Sequence, residues 1–371
     1  MSDKLLTIAE DSVIKRKMTF MKNIAEIDKN FKVESHLDLK DAEYYNIKEH
    51  PWCLYGLMFD DMFRRMPMDV AKNVNEGVLS LHSNTSGGRL RFVTNSPYIA
   101  IVAKMPDKIH FPHMPQTGVT GFDMYVDNRF HSTFIPPIDM EYVLSSVESF
   151  GTSEERNITI NFPLYNNVSD LFIGIKKGAS FKKADDYKQK EKIVYYGSSI
   201  TQGGCASRPG LAYPAIISNE IGCDFINLGF SGSAKGETVM AEYIASLNPD
   251  VFVLDYDHNA HTEQHLEITH EKFFKTFRNL CPDTPVVIIS APNAKFTYLN
   301  WSARRKIIKT TYDNALISGD KNVYFIDGET LWGEDHWDLC TMDRTHPNDL
   351  GHFKMAQAIL PTIKEIVSTQ A

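Results

Sequence analysis

From Lys192 onward, short apolar runs alternate with stretches of helical period, and this alternation constrains the fold more than any other feature of the chain. The apolar runs are 193-IVYY, 225-FINL, 251-VFVLDY, 285-PVVIIS and 323-VYFID. Between them, the stretches Leu211–Gly222, Gly236–Leu247, Ile268–Leu280 and Trp301–Ser318 carry apolar residues three and four apart, and a last helix is expected over Asp349–Val367. Runs without polar alternation are strands buried on both faces. Strands joined through helices make βαβ units, hence a parallel sheet covered on both sides. Five of them imply an α/β fold, a flavodoxin-like three-layer α/β/α sandwich whose ligand site lies at the carboxyl ends of its strands.

The first half has a different period. Residues alternate in 77-GVLSLHS, 89-RLRFVT, 98-YIAIVAKM, 122-FDMYVDN, 130-FHSTFIP, 157-NITINFPLY and 170-DLFIGIK. Turn residues separate them at Ser86–Gly88, Asn95–Pro97 and Pro136–Pro137. Closely spaced strands with no helices between them predict an antiparallel β-sandwich, jelly-roll-like in kind. Residues 1–75 carry less pattern, apart from a helix expected near Ile8–Ile27. A length of 371 residues suits two domains. The expected division is an accessory domain over 1–180 and a catalytic domain over 190–371, separated by the polar, lysine-rich 177-KGASFKKADDYKQKEK-192.

The formal net charge of −8 argues against a nucleic-acid partner. The five cysteines are odd in number and form no CxxC pair, which argues against a disulfide framework and a zinc ribbon. The N-terminus lacks the apolar core and small-residue cleavage site of a secretory signal, and no run of about 20 apolar residues is present to span a membrane. The chain is therefore expected in the cytoplasm, with no membrane partner. Nothing in the sequence fixes its oligomeric state, and a homo-oligomer stays open.

Four polar clusters fall where strands or connections end. In 197-GSSIT, Gly197 permits a tight turn and a serine follows at the strand-to-helix junction, either as a nucleophile or as a helix cap. In 227-NLGFSGSAKGE, three glycines let backbone N–H groups approach a ligand, or simply make a βα loop. The third cluster, 251-VFVLDYDHNAH, ends in an asparagine able to donate to an oxyanion. Asp257, His258 and His261 are metal-ligand types, but His258 and His261 are three apart and no further ligand cluster accompanies them. The fourth, 341-TMDRTHPNDLGH, places Asp343 three residues before His346, so one loop can orient an imidazole toward a serine or merely cap the last helix.

In the order Ser, Gly, Asn, Asp/His, these clusters resemble the SGNH (GDSL-type) hydrolase family. The resemblance covers about Lys192–Val367. The stretch 121-GFDMYVD further resembles the "GxDxY" feature of a branch with an N-terminal β-sandwich. The resemblance implies Ser199 as nucleophile, with Asp343 and His346 completing a catalytic triad. It implies an oxyanion hole from Ser199, Gly232 and Asn259, with Gly229 as the alternative glycine. Ser198 stands where the family keeps Asp, and "DYDHN" replaces its Gly-x-Asn-Asp block. No cofactor and no metal are implied.

The implied function is a serine esterase that removes O-acetyl groups, with an acetylated oligosaccharide or another small ester as substrate. The alternatives are a lipid or lysophospholipid acylhydrolase, and a non-catalytic carbohydrate-binding module. Arg208, Lys235, His258, His261, Lys295 and Trp301 are expected on a polar rim that suits a sugar. The loop 110-HFPHMP is expected on the surface in preference to the cleft, and Trp52, Tyr125 and Tyr165 in the core in preference to a sugar platform.

Overall fold

The computed structural model describes residues 39–296 and 300–370. The helix expected near Ile8–Ile27 lies outside the described residues. The second half contains the parallel sheet. Its strands Asp224–Gly229, Lys192–Gly197, Val251–Asp255, Val286–Ile289 and Val323–Ile326 lie side by side in that order, all parallel. The order 2-1-3-4-5 is the flavodoxin-like one. Successive residues of a strand face opposite ways. Ile193 and Tyr195 therefore pack with the helices Tyr213–Ile221 and Asp349–Gln370. Val194 and Tyr196 pack with Thr238–Ser246, Glu263–Leu280 and Trp301–Ile317. Each fully buried aliphatic or aromatic side chain contributes roughly 1.5–3 kcal/mol. The helix Glu263–Leu280 begins five residues before its apolar period because Thr262 caps it, accepting from the His265 N–H at 3.1 Å.

The first half forms two large antiparallel sheets and a two-stranded pair, Met58–Phe59 with Phe63–Arg64. One large sheet orders Ala42–Asn46, Asp170–Lys176, Tyr98–Lys104 and Val143–Ser149; the other runs Lys182–Lys183, Arg89–Thr94, Arg156–Asn161, Phe122–Val126 and Arg129–Phe134, with Leu54–Tyr55 also on Arg89–Thr94. Ile99, Ile101, Ile173 and Ile175 of the first share one core with Leu90, Phe92, Met124 and Ile158 of the second, which makes a sandwich.

Two expectations fail here. The stretch 77-GVLSLHS is not a strand but part of the helix Glu76–Leu81, capped by Asn75, whose side chain accepts from the Val78 N–H at 2.8 Å. The half also holds the helices Met68–Val74 and Gln116–Val119. Six residues span less than two helical turns, too few to separate a period of 3.6 from a period of 2.

Buried polar contacts join the halves. Arg89 ion-pairs with Asp224, donates to the Phe225 carbonyl at 3.1 Å and lies 4.0 Å over the Phe225 ring. Arg65 donates to the Gly229 and Leu81 carbonyls and lies 4.5 Å over Phe230. The Ser86 hydroxyl donates to the Gln202 carbonyl at 2.6 Å. Among the described residues no helix is long and apolar enough to cross a membrane.

Candidate active site

The strand Lys192–Gly197 ends against the next strand but one. A Cβ on Gly197 would lie 2.0 Å from the Thr201 hydroxyl and 2.4 Å from the Asp255 carbonyl, so only glycine fits. The two serines that follow are not equivalent. Ser198 is extended and caps the short helix Ser199–Gln202, its hydroxyl accepting from the Ile200 N–H at 3.2 Å. It is 1% exposed, whereas Ser199 is 7% exposed and its Oγ lies 2.9 Å from His346 Nε2.

His346 Nδ1 in turn lies 2.7 Å from Asp343 Oδ2. An ionised carboxylate only accepts, so Nδ1 carries the proton and Nε2 is left to accept from the Ser199 hydroxyl. Burial raises the Asp343 carboxyl, but the His346 and Thr345 N–H groups at 2.7 and 3.0 Å and the imidazole outweigh it and hold it below the usual carboxylate value. The loop closes on itself through the Thr341–Pro347 bridge and the Met342 N–H to His346 carbonyl bond of 2.9 Å. Arg344 also ties it to the Phe296 carbonyl, and the Phe296 ring stacks on Trp337 at 4.2 Å.

The glycine loop follows the strand Asp224–Gly229. The Gly229 N–H donates to Asn227 Oδ1 at 2.8 Å, and a Cβ there would lie 2.2 Å from the Gln202 nitrogen. Gly229 thus serves close packing on the serine turn. Gly232 has φ +66° and open space where a Cβ would point. Its N–H makes no hydrogen bond to the described residues. The Ser199 N–H, first of its helix, has no acceptor within it.

Two amides pin this loop. Asn259, in the single turn after the strand Val251–Asp255, donates through Nδ2 to the Phe230 carbonyl at 2.8 Å. Gln202 Oε1 accepts from the Ser231 N–H at 3.0 Å, while its Nε2 donates to Asn84 Oδ1 and the Leu164 carbonyl, both at 3.1 Å.

The acidic side chains behind the site have other partners. Asp257 accepts from Arg304 Nε at 2.9 Å and from the Ala291 N–H at 3.0 Å. His258 is driven down to about 4 by burial, and the His261 ring faces His265. Asp257, His258 and His261 therefore do not gather as metal ligands. Asp255 accepts from Thr201 Oγ1 and Tyr213 OH, each at 3.0 Å, and burial pushes its carboxyl up to about 7.

The first half reaches the site through residues that sequence reasoning left aside or placed elsewhere. The Tyr165 hydroxyl donates to the Ser199 carbonyl at 3.2 Å, and Phe111 packs edge-on against Tyr165 at 5.2 Å. The His113 ring lies 5.8 Å from that of His346. The loop 110-HFPHMP, expected away from the cleft, thus flanks it. Arg208, expected on the rim, instead bonds Asp123 at 2.7 Å and Tyr125 OH at 2.8 Å. Asp123 also accepts from the Gly210 N–H at 2.8 Å. The acid and tyrosine of 121-GFDMYVD therefore clamp the loop that follows the serine helix. Beside Ser231 opens a cleft of about 460 Å³, lined by Asn84, Asp107, Lys108, Phe111 and Tyr165.

Comparison with known proteins agrees with this architecture. The GDSL-like lipase/acylhydrolase family matches residues 190–364. A domain described as the N-terminus of an SGNH-hydrolase-type esterase matches residues 42–181. No curated protein sequence matches the chain. Among solved structures, a GDSL-like lipase of Bacteroides ovatus ATCC 8483 is 31% identical, with 88% of this chain and 98% of that one aligned and a TM-score of 0.79. The salicylyl-acyltransferase SsfX3 of a tetracycline biosynthetic pathway aligns over the same shares at 20% identity and a TM-score of 0.74. The acetyl xylan esterase Est2A of the rumen bacterium Butyrivibrio proteoclasticus aligns over 88% and 99% at 14% identity and a TM-score of 0.55. The last two share the fold. With 88% of its length matched at 31% identity and its α/β half matched by the family itself, the chain belongs to the GDSL-like lipase/acylhydrolase family of SGNH hydrolases.

Proposed function

We propose that the chain is a serine esterase that removes short acyl groups, acetyl foremost, from oligosaccharides. The observation that carries this reading is the unbroken Ser199–His346–Asp343 hydrogen-bond sequence at the carboxyl edge of the sheet. Ser199 Oγ attacks the ester carbonyl as its proton passes to His346 Nε2. The Ser199 and Gly232 N–H groups, with the second Nδ2 proton of Asn259, stabilise the oxyanion. The carbon–oxygen bond to the sugar then breaks, and His346 returns the proton to the leaving hydroxyl. Water attacks the acyl-enzyme by the same route, with His346 as base, and releases the carboxylic acid. Asp343 stays ionised and stabilises the imidazolium. The partner is thus a small ester substrate, and each step uses groups of the chain and water.

Two features support a sugar ester over a lipid. The cleft beside Ser231 carries amide, acid and ammonium groups alongside Leu81, Ile109 and one aromatic pair, and those polar groups suit hydroxyl-rich ligands. The acetyl xylan esterase has the same two-part fold. A second reading, transfer of the acyl group to an alcohol in place of water, draws on the likeness of fold, over 88% of this chain, to a salicylyl-acyltransferase.

A panel of acetylated oligosaccharides, read by mass spectrometry with and without a small alcohol acceptor, tests these readings. Loss of acetyl groups as free acetate is the expected result. Acetyl appearing on the acceptor selects the transfer reading. Octanoyl esters cleaved faster than acetyl esters would overturn the carbohydrate assignment.

A further inference from the structure

A second ligand set converges on the same histidine. One donor atom each of His113, Cys205 and His346 lies within 4.8 Å of the others. Donors on one tetrahedral zinc ion stand roughly 3.3–3.6 Å apart, given bond lengths of about 2.0–2.3 Å. Side-chain rotation closes a gap of that size. Cys205 is 3% exposed and sits in the left-handed region at φ +64°, its thiol directed to the His113 carbonyl at 3.5 Å. His113 is exposed, so an ion has a path from solvent. His346 Nδ1 is already held by Asp343 at 2.7 Å, the carboxylate–histidine pairing that orients imidazoles on metals.

We infer that His113, Cys205 and His346 form an inhibitory site for a thiophilic divalent cation of the zinc type. The inference rests on the proposed role of His346 as the base. One thiolate and two imidazoles select zinc-like ions over magnesium or calcium. On binding, the Cys205 thiol gives its proton to solvent as the metal–sulfur bond forms. The lone pair of His346 Nε2 goes to the metal and can no longer accept the Ser199 proton. Water takes the fourth position. The site differs from a resident catalytic metal, because the ion silences the chemistry it sits on.

The test uses the full chain. Cobalt(II) added to the protein should produce a thiolate-to-metal charge-transfer band in the near ultraviolet, absent in Cys205→Ser. Zinc should lower p-nitrophenyl acetate hydrolysis at least tenfold, with recovery on adding a chelator. Each variant is compared by its own ratio of activity in zinc to activity in chelator. Cys205→Ser and His113→Gln should both weaken inhibition at least tenfold. His113→Gln, on the exposed loop, carries the test if the cysteine variant does not fold. Absence of the cobalt band, or zinc inhibition unchanged in both variants, overturns the site. A cobalt band with zinc-bound enzyme fully active overturns inhibition and the base role of His346 together. Inactivity in chelator with the band present overturns the esterase reading alone.

Discussion

The serine turn and the Asp-x-x-His loop face each other across the candidate site, and they are held in opposite ways. The turn Gly197–Gly203 is buried throughout and bonded to both halves of the molecule. Gln202 ties it to Asn84 and Leu164 on one side and to Ser231 on the other, and Tyr165 covers it. The loop 341–347 lies at the surface, with Asp343 among its exposed residues, and holds itself mainly by local bonds. Position on the Ser199 side is therefore part of the fold, whereas position on the His346 side is a local property. Substitutions on the two sides should separate activity from stability differently.

The largest effect is expected at Ser199. Ser199→Ala removes the hydroxyl bonded to His346 Nε2 and should lower kcat by about 10⁴-fold or more. Turnover of p-nitrophenyl acetate checks this, and activity within tenfold of wild type would remove Ser199 from the mechanism. Asp343→Asn should follow, with a loss of about 10⁴-fold or somewhat less, since an amide no longer fixes the Nδ1–H tautomer. Its thermal midpoint should stay close to wild type, because the loop is exposed. A large fall in midpoint would show that the His346 loop is as integrated as the serine turn and would collapse the contrast.

Gln202→Ala should behave oppositely. It leaves Asn84, Leu164 and Ser231 groups without their buried partners, a cost of about 1–3 kcal/mol per unsatisfied group. The loosened Ser231–Gly232 loop should also lower kcat by roughly 10- to 100-fold, with KM less affected. Denaturant melts and steady-state kinetics on the same preparation measure both. Unchanged stability with reduced kcat would mean that the amide acts on the loop alone.

Much of this contrast was legible in the sequence, and the unread part has one cause. The five parallel strands are buried on both faces, so each is a continuous apolar run visible without context. Ser199, Asp343 and His346 stand in short motifs, and the structure brings their side chains into one bonded sequence. The contacts that crossed between halves could not be read this way. Arg65, Tyr165 and Gln202 are polar residues buried by partners 34 to 164 positions away, and no local spacing marks such pairs. Asp123 stands within 121-GFDMYVD, but the sequence places its partner Arg208 on a rim and gives no sign of its partner Gly210. The loop around His113 carries two prolines and reads as surface, which its exposure also shows. Only the fold places it against His346.

The subtlest expected effect lies beneath the serine turn, at Asp255. Its carboxyl is fully buried with two hydroxyl donors, and burial moves it up to about 7 from an ordinary value near 3.8. Below about pH 4 the group is protonated in folded and unfolded chains alike, so it contributes no pH dependence. Between 4 and 7 the folded state keeps the proton that the unfolded state releases, so stability falls as pH rises. Above 7 the penalty is complete, with an upper limit of roughly 4 kcal/mol. His258, His270 and His352 are each driven down to about 4 by burial and give the opposite slope from there to about 6.5. Those histidines are common to wild type and Asp255→Asn, so the difference between the two proteins isolates the aspartate. The variant should gain stability relative to wild type as pH rises from 5 to 8, whatever the constant offset from its new amide. Melting both proteins across that range measures the slope. A flat difference would mean that Asp255 is ionised at low pH after all, and that the turn carrying Ser199 rests on a charge stabilised by its hydroxyl donors.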